Sequence, residues 1–184
     1  MNDLDKERQT EGSKAWYAIQ TFYCKEEHLG KYVEEKGVNY FIPMRFVEYE
    51  TLDGKKHRKL TPAVHNLLFI EKEFTEKELL ERVKDCTIPF LLVRDRSTRR
   101  CYEIPDHEML EFRAVCDPNY KGTLYVDTVT AEARPGQAVR VIRGPFAGLE
   151  GKLTQYKKSY YVVVTLATIG VMLHIPKWYC EKIN

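Results

Sequence analysis

The chain is short of the residues that would make it a secreted, membrane or metal protein. Its five cysteines, at 24, 86, 101, 116 and 180, are odd in number, widely spaced and without a Cys-x-x-Cys pair, which points away from a disulfide framework and to reduced thiols. His107 follows Cys101 by six residues, but a zinc site needs four ligands and nothing nearby supplies a second pair, so no metal and no cofactor is expected. No apolar run approaches the roughly 20 residues that span a bilayer. Residues 1–13 are polar and of mixed charge, unlike a secretory signal, so a cytoplasmic protein with no membrane contact is expected. With 29 basic and 27 acidic residues the net charge is only +2, so no global field recruits nucleic acid and any such contact must come from a local patch. No nucleophile signature flanks a cysteine, and Asp106-His107-Glu108 reads as a first helical turn, where carboxylates favour the dipole; an enzyme is not expected.

What is present is a 43% hydrophobic, 12% aromatic composition, enough for one large core or two small ones. Trp16, Tyr17, Ala18 and Ile19 read as a strand. Leu29, Tyr32 and Val33 then form an i, i+3, i+4 stripe opposed by Lys25, Glu26, Glu27, Glu34 and Glu35, and Gly37 stops that helix. Residues 38–50 are rich in β-branched and aromatic types around Pro43. Asp53-Gly54 marks a hairpin, whose returning arm Lys55-Lys56-His57-Arg58-Lys59 is the most basic run of the chain. Leu67-Leu68-Phe69-Ile70 and Phe90-Leu91-Leu92-Val93 have no polar alternation and predict strands buried on both faces. Between them Thr75 and Glu78 form a capping box, with Phe74 and Leu79 as its staple. Residues 94–100 make an arginine-rich turn into Cys101-Tyr102-Glu103-Ile104, and Pro105 opens a third helix with Met109, Phe112 and Cys116 on one face. This succession predicts a layered α+β domain over 14–116, behind a disordered tail at 1–13.

Residues 117–133 lose the helical period and collect Pro, Gly, Thr and charge, which predicts a linker with one short strand, Leu124-Tyr125-Val126. Beyond it Val139 and Val141 alternate with Arg140 and Ile142 as a strand. Gly144-Pro145-Phe146-Ala147-Gly148 turns the chain sharply and puts Phe146 on the bend. Gly151 interrupts the next strand, over 149–156, where two backbones approach or a barrel bends. Strands at 160–166, 171–175 and 178–183, with turns at 157–159 and 167–170, complete a barrel of about five strands over 134–184. Tyr160-Tyr161-Val162-Val163-Val164-Thr165 disfavours helix by a few tenths of a kcal/mol per position, so this domain is expected to remain a barrel.

The spacing Gly-Pro-Phe-x-Gly-x-x-Gly behind a Val-x-Val strand resembles the KOW motif of transcription-elongation and ribosomal proteins. With the aromatic α+β stretch from Trp16 ahead of it, the chain resembles NusG-type factors over 14–183, and among them the UpxY-type paralogs. The resemblance implies an N-terminal NusG-like (NGN) antiparallel sheet with flanking helices, then a KOW-type SH3-like β-barrel, in a bacterial, cytoplasmic, non-enzymatic monomer. It implies binding to the β′ clamp helices of RNA polymerase through Tyr17, Gln20, Phe22, Tyr23, Val64, Leu67 and Phe69. The alternative is that several of these fill the core, Leu67 and Phe69 above all; His65-Asn66-Leu67-Leu68 also stands where the family carries Pro-Gly-Tyr-Val. The implied activity is suppression of pausing or termination, on a capsular-polysaccharide operon for the UpxY type. The alternative is a ribosome- or RNA-associated KOW protein.

Two cationic hairpin ends are candidate contacts to DNA or nascent RNA: Lys55, Lys56, Arg58 and Lys59, with Tyr49 nearby to stack on a base, and Arg94, Arg96, Arg99 and Arg100. Plain solvation is the other reading of both. In the barrel, backbone geometry requires Gly144, Pro145, Phe146, Gly148 and Gly151, and Phe146 is a candidate for presentation to a partner. The resemblance implies ribosomal protein S10, Rho or RNA as that partner, with Gly136-Gln137 replacing an acidic dipeptide of the family.

Overall fold

The computed structural model describes residues 14–95, 97–167 and 169–183; the expected tail at 1–13 and the turn residue Thr168 lie outside them. Its first half is built on β1 (Ala15–Thr21). One edge of β1 pairs with β5 (Leu67–Glu71), which in turn pairs with β2 (Tyr40–Phe41). The other edge is shared by β7 (Glu103–Pro105) against Ala15, Trp16 and Tyr17, and by β6 (Phe90–Leu92) against Ile19, Gln20 and Thr21. All these pairings are antiparallel.

Because side chains alternate along a strand, β1 feeds two layers. Trp16 and Ala18 join Leu67, Phe69 and the Met109, Phe112 and Val115 face of α3 (Asp106–Val115). Tyr17 and Ile19 join Leu68 and Ile70 under α1 (Glu26–Glu35) and α2 (Glu76–Arg82), where Leu29, Val33 and Leu79 are buried. The starts of these helices follow local chemistry. Thr75 Oγ1 accepts from the Glu78 amide at 3.3 Å and the Glu78 carboxylate accepts from the Thr75 amide at 2.9 Å, closing the capping box. Asp106 in the first turn of α3 accepts from the Trp16 indole at 2.9 Å, tying that helix to β1.

The two unalternating apolar runs part company. Leu67, Leu68, Phe69 and Ile70 are all buried in a central strand, as their composition predicts. Phe90–Leu92 is an edge strand instead, paired to β1 alone, and Leu91 is 58% exposed. Composition cannot distinguish the two, because burial of a strand's second face depends on what the rest of the chain lays over it.

The second half is a six-stranded antiparallel sheet in the order β13-β9-β10-β11-β12-β8. Its strands are β8 (Thr123–Asp127), β9 (Gln137–Val141), β10 (Glu150–Tyr156), β11 (Ser159–Leu166), β12 (Ile169–His174) and β13 (Cys180–Lys182). Segment 117–133, expected as a linker, supplies one of these strands: β8 pairs with β12 through five residues. The short helix α4 (Thr128–Glu132) follows, with Ala131 packed on Val163 and Met172. Lys152 Nζ donates to the carbonyls of Ala131 and Glu132, at 2.9 and 3.0 Å, neutralising the negative end of α4. Trp178, expected in a strand, sits in a 3-10 turn, Lys177–Tyr179. Val139, Val141, Val162, Val171, Leu173 and Ile175 form the core of this sheet, continuous with the α3 side of the first.

β3 (Met44–Glu50) and β4 (Lys56–Pro62) form a separate two-stranded ribbon, paired only with each other.

Gly151 is a point of close backbone approach, one of the two readings its position allowed. A Cβ there would lie 2.6 Å from the Val163 carbonyl oxygen and 2.8 Å from Val162 Cγ1. The obstruction is backbone inside the ladder, so Gly151→Ala must prise β10 from β11 and is expected to cost about 1–3 kcal/mol in urea unfolding. At Gly148 (φ +96°) nothing stands within 4 Å of a Cβ. Gly148→Ala therefore carries the backbone strain alone, roughly 1 kcal/mol, and an order of effects opposite to this would refute the close-approach reading.

Candidate functional site

At the end of β1 the chain leaves the sheet through Phe22-Tyr23-Cys24, and both Tyr23 (φ +58°) and Cys24 (φ +53°) take the left-handed conformation. Such backbone costs an L-residue about 1–2 kcal/mol, so something must hold it. The neighbouring turn into β5 does. Asn66 is itself left-handed (φ +61°); its carbonyl accepts from the Thr21 amide at 3.0 Å and its Oδ1 accepts from the Cys24 amide at 2.8 Å. Beneath both loops lies Glu26, 1% exposed. Its Oε2 accepts from the Asn66 amide at 3.1 Å and from the Thr21 hydroxyl at 3.4 Å, and its Oε1 lies 3.5 Å from His65 Nδ1. One carboxylate therefore stitches two loops that are 40 residues apart in sequence.

This frame displays an apolar and aromatic edge. Tyr23 is 83% exposed and Phe22 half-buried. Gln20 is exposed on β1, in register with Leu67 of β5 on one side and with Leu91 of β6 on the other. Leu67, Gln20 and Leu91 thus form one row across three strands, running from the buried floor to the open rim. Beside it a crevice of about 430 Å³ is lined by Gln20, Val64, Asn66 and Leu67 and, from the second sheet, by Val126 and Ile169.

Not all the expected docking residues are there. Tyr17 is 3% exposed on the opposite, helix-covered face, and burial, with Glu103 adding to it, pushes its phenol up to about 12. Phe69 is fully buried, its ring 5.5 Å from that of Phe112. Leu67 is buried and only rims the crevice. The correction follows from strand parity: Tyr17 and Gln20 are three residues apart and cannot share a face. Sequence reasoning missed Leu91, assigned to a fully buried strand, and Glu26, assigned to the polar side of α1. A first-turn glutamate carries no local mark of burial.

In the barrel, Gly144 (φ +84°) and Gly148 (φ +96°) make the bend, and the Gly148 amide donates to the Val141 carbonyl at 2.7 Å. Phe146 is not held out to solvent. Its ring meets Tyr120 edge-on at 4.8 Å, and Pro145 and Phe146 border a small hollow against Glu111, Ala114 and Val115 of α3.

A family model described as transcription termination factor nusG matches residues 14–113, and one described as KOW motif matches residues 135–166. The chain belongs to the NusG family. It is thus a transcription elongation or antitermination factor in the general sense, of a family whose members are non-enzymatic. No curated protein matches the chain. Among the described residues no helix is long and apolar enough to cross a membrane, and no three His, Cys, Asp or Glu side chains are grouped to hold a metal ion. The five cysteines are free thiols; Cys116 is buried, which pushes its thiol up to about 12, and Cys24 is exposed.

Asn66 holds its positive φ readily, since asparagine is among the few residues other than glycine that occupy this conformation. The candidate nucleic-acid residues are sorted by their partners. Arg94 is ion-paired with Glu76 and donates to the Arg99 carbonyl, so it braces its own turn. Arg96 lies outside the described residues; Arg99 and Arg100 are exposed and make no ion pair among the described residues. Asp95 organises that turn by accepting from the Ser97 and Thr98 amides, and these hydrogen bonds, the Ser97 hydroxyl's first, hold its carboxyl down at about 2. On the ribbon, Lys55 is paired with Asp53 at 2.8 Å.

Proposed function

We propose that this NusG-family protein binds the β′ clamp helices of RNA polymerase through the rim formed by Tyr23, Phe22, Gln20 and Leu91, with Val64 and Leu67 at its inner border. The observation that carries this is the rim itself: an aromatic and a leucine left largely exposed at the end of a sheet whose other large apolar side chains are buried or half-buried, beside strained loops that a buried carboxylate fixes in place. A protein interface draws its energy from a few such anchors in a rigid setting. The convex tip of a two-helix coiled coil fits an edge of this kind, apolar at the centre with polar Gln20 beside it. Bound there, the protein favours the closed clamp by its greater affinity for that state, which requires no catalysis, and so suppresses pausing or termination. The likeness to UpxY-type paralogs supports an operon-specific role at a capsular-polysaccharide locus.

For the barrel, the packing of Phe146 on Tyr120 takes that ring out of any contact with ribosomal protein S10, Rho or RNA. Trp178, 73% exposed, and Ile142, 46% exposed, are large apolar side chains the barrel offers instead.

The test is transcription in vitro through a terminator placed behind a cognate leader. Added protein is expected to raise readthrough, and the variant Tyr23→Ala is expected to abolish the gain. Recovery of ribosomal subunits without polymerase in a pull-down, together with unchanged readthrough, would favour the ribosome-associated reading.

A further inference from the structure

A hollow of about 370 Å³ opens between the connection from β5 into α2 and the turn that joins β6 to β7. Its walls carry Lys72, Arg94, Arg99 and Arg100 against Glu76 and Glu103. Both carboxylates are already taken up. Lys72 Nζ lies 2.6 Å from Glu103 Oε2, and Arg94 is ion-paired with Glu76. The Cys101 thiol first, and Arg94 after it, hold the Glu76 carboxyl below the usual carboxylate range. Arg99 and Arg100 are exposed and make no ion pair among the described residues. Four cations against two carboxylates leave the hollow a surplus of two positive charges.

The two unpaired guanidinium groups stand on a turn that is held shut. Arg94 and Cys101 bridge its ends, the Asp95 amide donates to the Arg100 carbonyl at 2.9 Å, and the Arg99 amide donates to the Asp95 carbonyl at 2.9 Å. Arg99 takes left-handed backbone (φ +62°), and Arg94 Nη1 donates to its carbonyl at 3.2 Å. The backbone that carries both arginines is therefore fixed before any ligand arrives, which lowers the ordering cost of binding. Apart from Tyr17, buried beneath, and Cys101, every lining residue is polar or charged. Nothing in the hollow offers an open ring to stack a base or a wall to bury a hydrocarbon chain, so what it can recognise is negative charge on oxygen. Guanidinium groups grip phosphate oxygens in pairs. A nucleic-acid backbone spreads single charges along an open track. A terminal phosphate concentrates close to two on one group, and that matches a single concavity of small-ligand size.

We infer that this hollow binds a compact phosphorylated small molecule by a diphosphate group, Arg99 and Arg100 holding the phosphate oxygens and Lys72 turning from Glu103 to meet them. Glu103 thereby sets the affinity, because it competes with the ligand for Lys72. The inference is independent of the polymerase-binding rim, since it uses no residue of that rim and is read on the free protein.

The test is calorimetric titration of the full chain with inorganic pyrophosphate at about 50 mM salt, where screening is modest, backed by the rise in melting temperature that a ligand of the folded state produces. Inorganic phosphate, adenosine 5′-diphosphate and adenosine serve as comparisons. Pyrophosphate and the diphosphate nucleotide are expected to bind alike, phosphate more weakly, and adenosine not at all. Arg99→Ala and Arg100→Ala are each expected to weaken pyrophosphate by about tenfold or more, since each removes a hydrogen-bonded charge. Glu103→Gln releases Lys72 and is expected to tighten it by about threefold, the scale of an exposed ion pair. Lys56→Ala, the same charge change on the β3–β4 ribbon outside the hollow, is expected to leave it unchanged. The inference fails if pyrophosphate gives neither heat nor a melting shift, if adenosine binds as well as its diphosphate, if Glu103→Gln weakens binding, or if Arg100→Ala and Lys56→Ala are equivalent. It also fails if an oligonucleotide of about 12 residues without terminal phosphates displaces pyrophosphate more readily than the diphosphate nucleotide does, which would make the hollow a backbone contact. Arg100 is at ordinary backbone, so its variant decides the matter even if Arg99→Ala disturbs the turn, and a ligand-free melt confirms that each variant is folded.

Discussion

Tyr23→Ala is expected to weaken binding to the polymerase clamp helices by about 30-fold to 1,000-fold, the equivalent of 2–4 kcal/mol at an interface hot spot. The side chain is 83% exposed in the free protein, so removing it takes little from the fold. Unfolding in urea is expected to shift by less than about 0.5 kcal/mol, the range of ordinary surface changes. That separation makes the result informative, because affinity and stability fall on different residues. Phe69, packed edge-on against Phe112 and fully buried, behaves the other way. Phe69→Ala is a core deletion costing about 3–5 kcal/mol of stability, and its effect on binding follows from unfolding. Leu91→Ala, on the rim in register with Gln20, is expected to follow Tyr23 in kind with a smaller loss. A titration of the isolated clamp coiled coil with each variant reads these out. Tyr23→Ala binding within about threefold of wild type, well under a hot-spot loss, would remove the rim from the interface.

The division between buried and presented residues is the part of the site that the sequence conveyed least well, for a physical reason. Local interactions are written locally. The Thr75 to Glu78 capping box, the Met109 and Phe112 stripe of α3, the Asp53-Gly54 hairpin and the Gly144 to Gly148 bend are each set by residues within a turn or two of one another, and each is found where its pattern puts it. Whether a strand lies at the centre or the edge is settled by elements far away. Leu67–Glu71 and Phe90–Leu92 have interchangeable compositions, yet β1 and β2 flank the first while only β1 borders the second. The segment at 117–133 illustrates the same limit. Its Pro, Gly and Thr content reads as a tether, whereas its strand β8 has a partner, β12, that begins some forty residues later and that no local pattern reveals.

Glu26 is the extreme case, and its removal is expected to affect stability and binding together. Glu26→Ala is expected to cost about 2–4 kcal/mol in urea unfolding. The Asn66 amide loses its acceptor in a part-buried position, worth about 1–3 kcal/mol, the Thr21 hydroxyl loses its partner, and a void opens under both loops. His65 is left unpaired but is itself largely exposed, so no stranded buried charge is added and the cost stays below that of breaking a fully buried ion pair. Glu26→Gln keeps the volume and one acceptor oxygen and is expected to lose about half as much. Binding supplies the sharper signature. The Asn66 turn grips the chain on both sides of left-handed Tyr23, through the amides of Thr21 and Cys24, so releasing that turn lets the loop relax and disperses the aromatic rim. Under conditions where the variant remains folded, Glu26→Ala is therefore expected to weaken clamp-helix binding without touching the partner. Combining it with Tyr23→Ala should add almost nothing to the binding loss, since the loop has no anchor left to misplace. Fully additive losses would mean that Glu26 supports the fold alone and leaves the presentation of Tyr23 to other contacts.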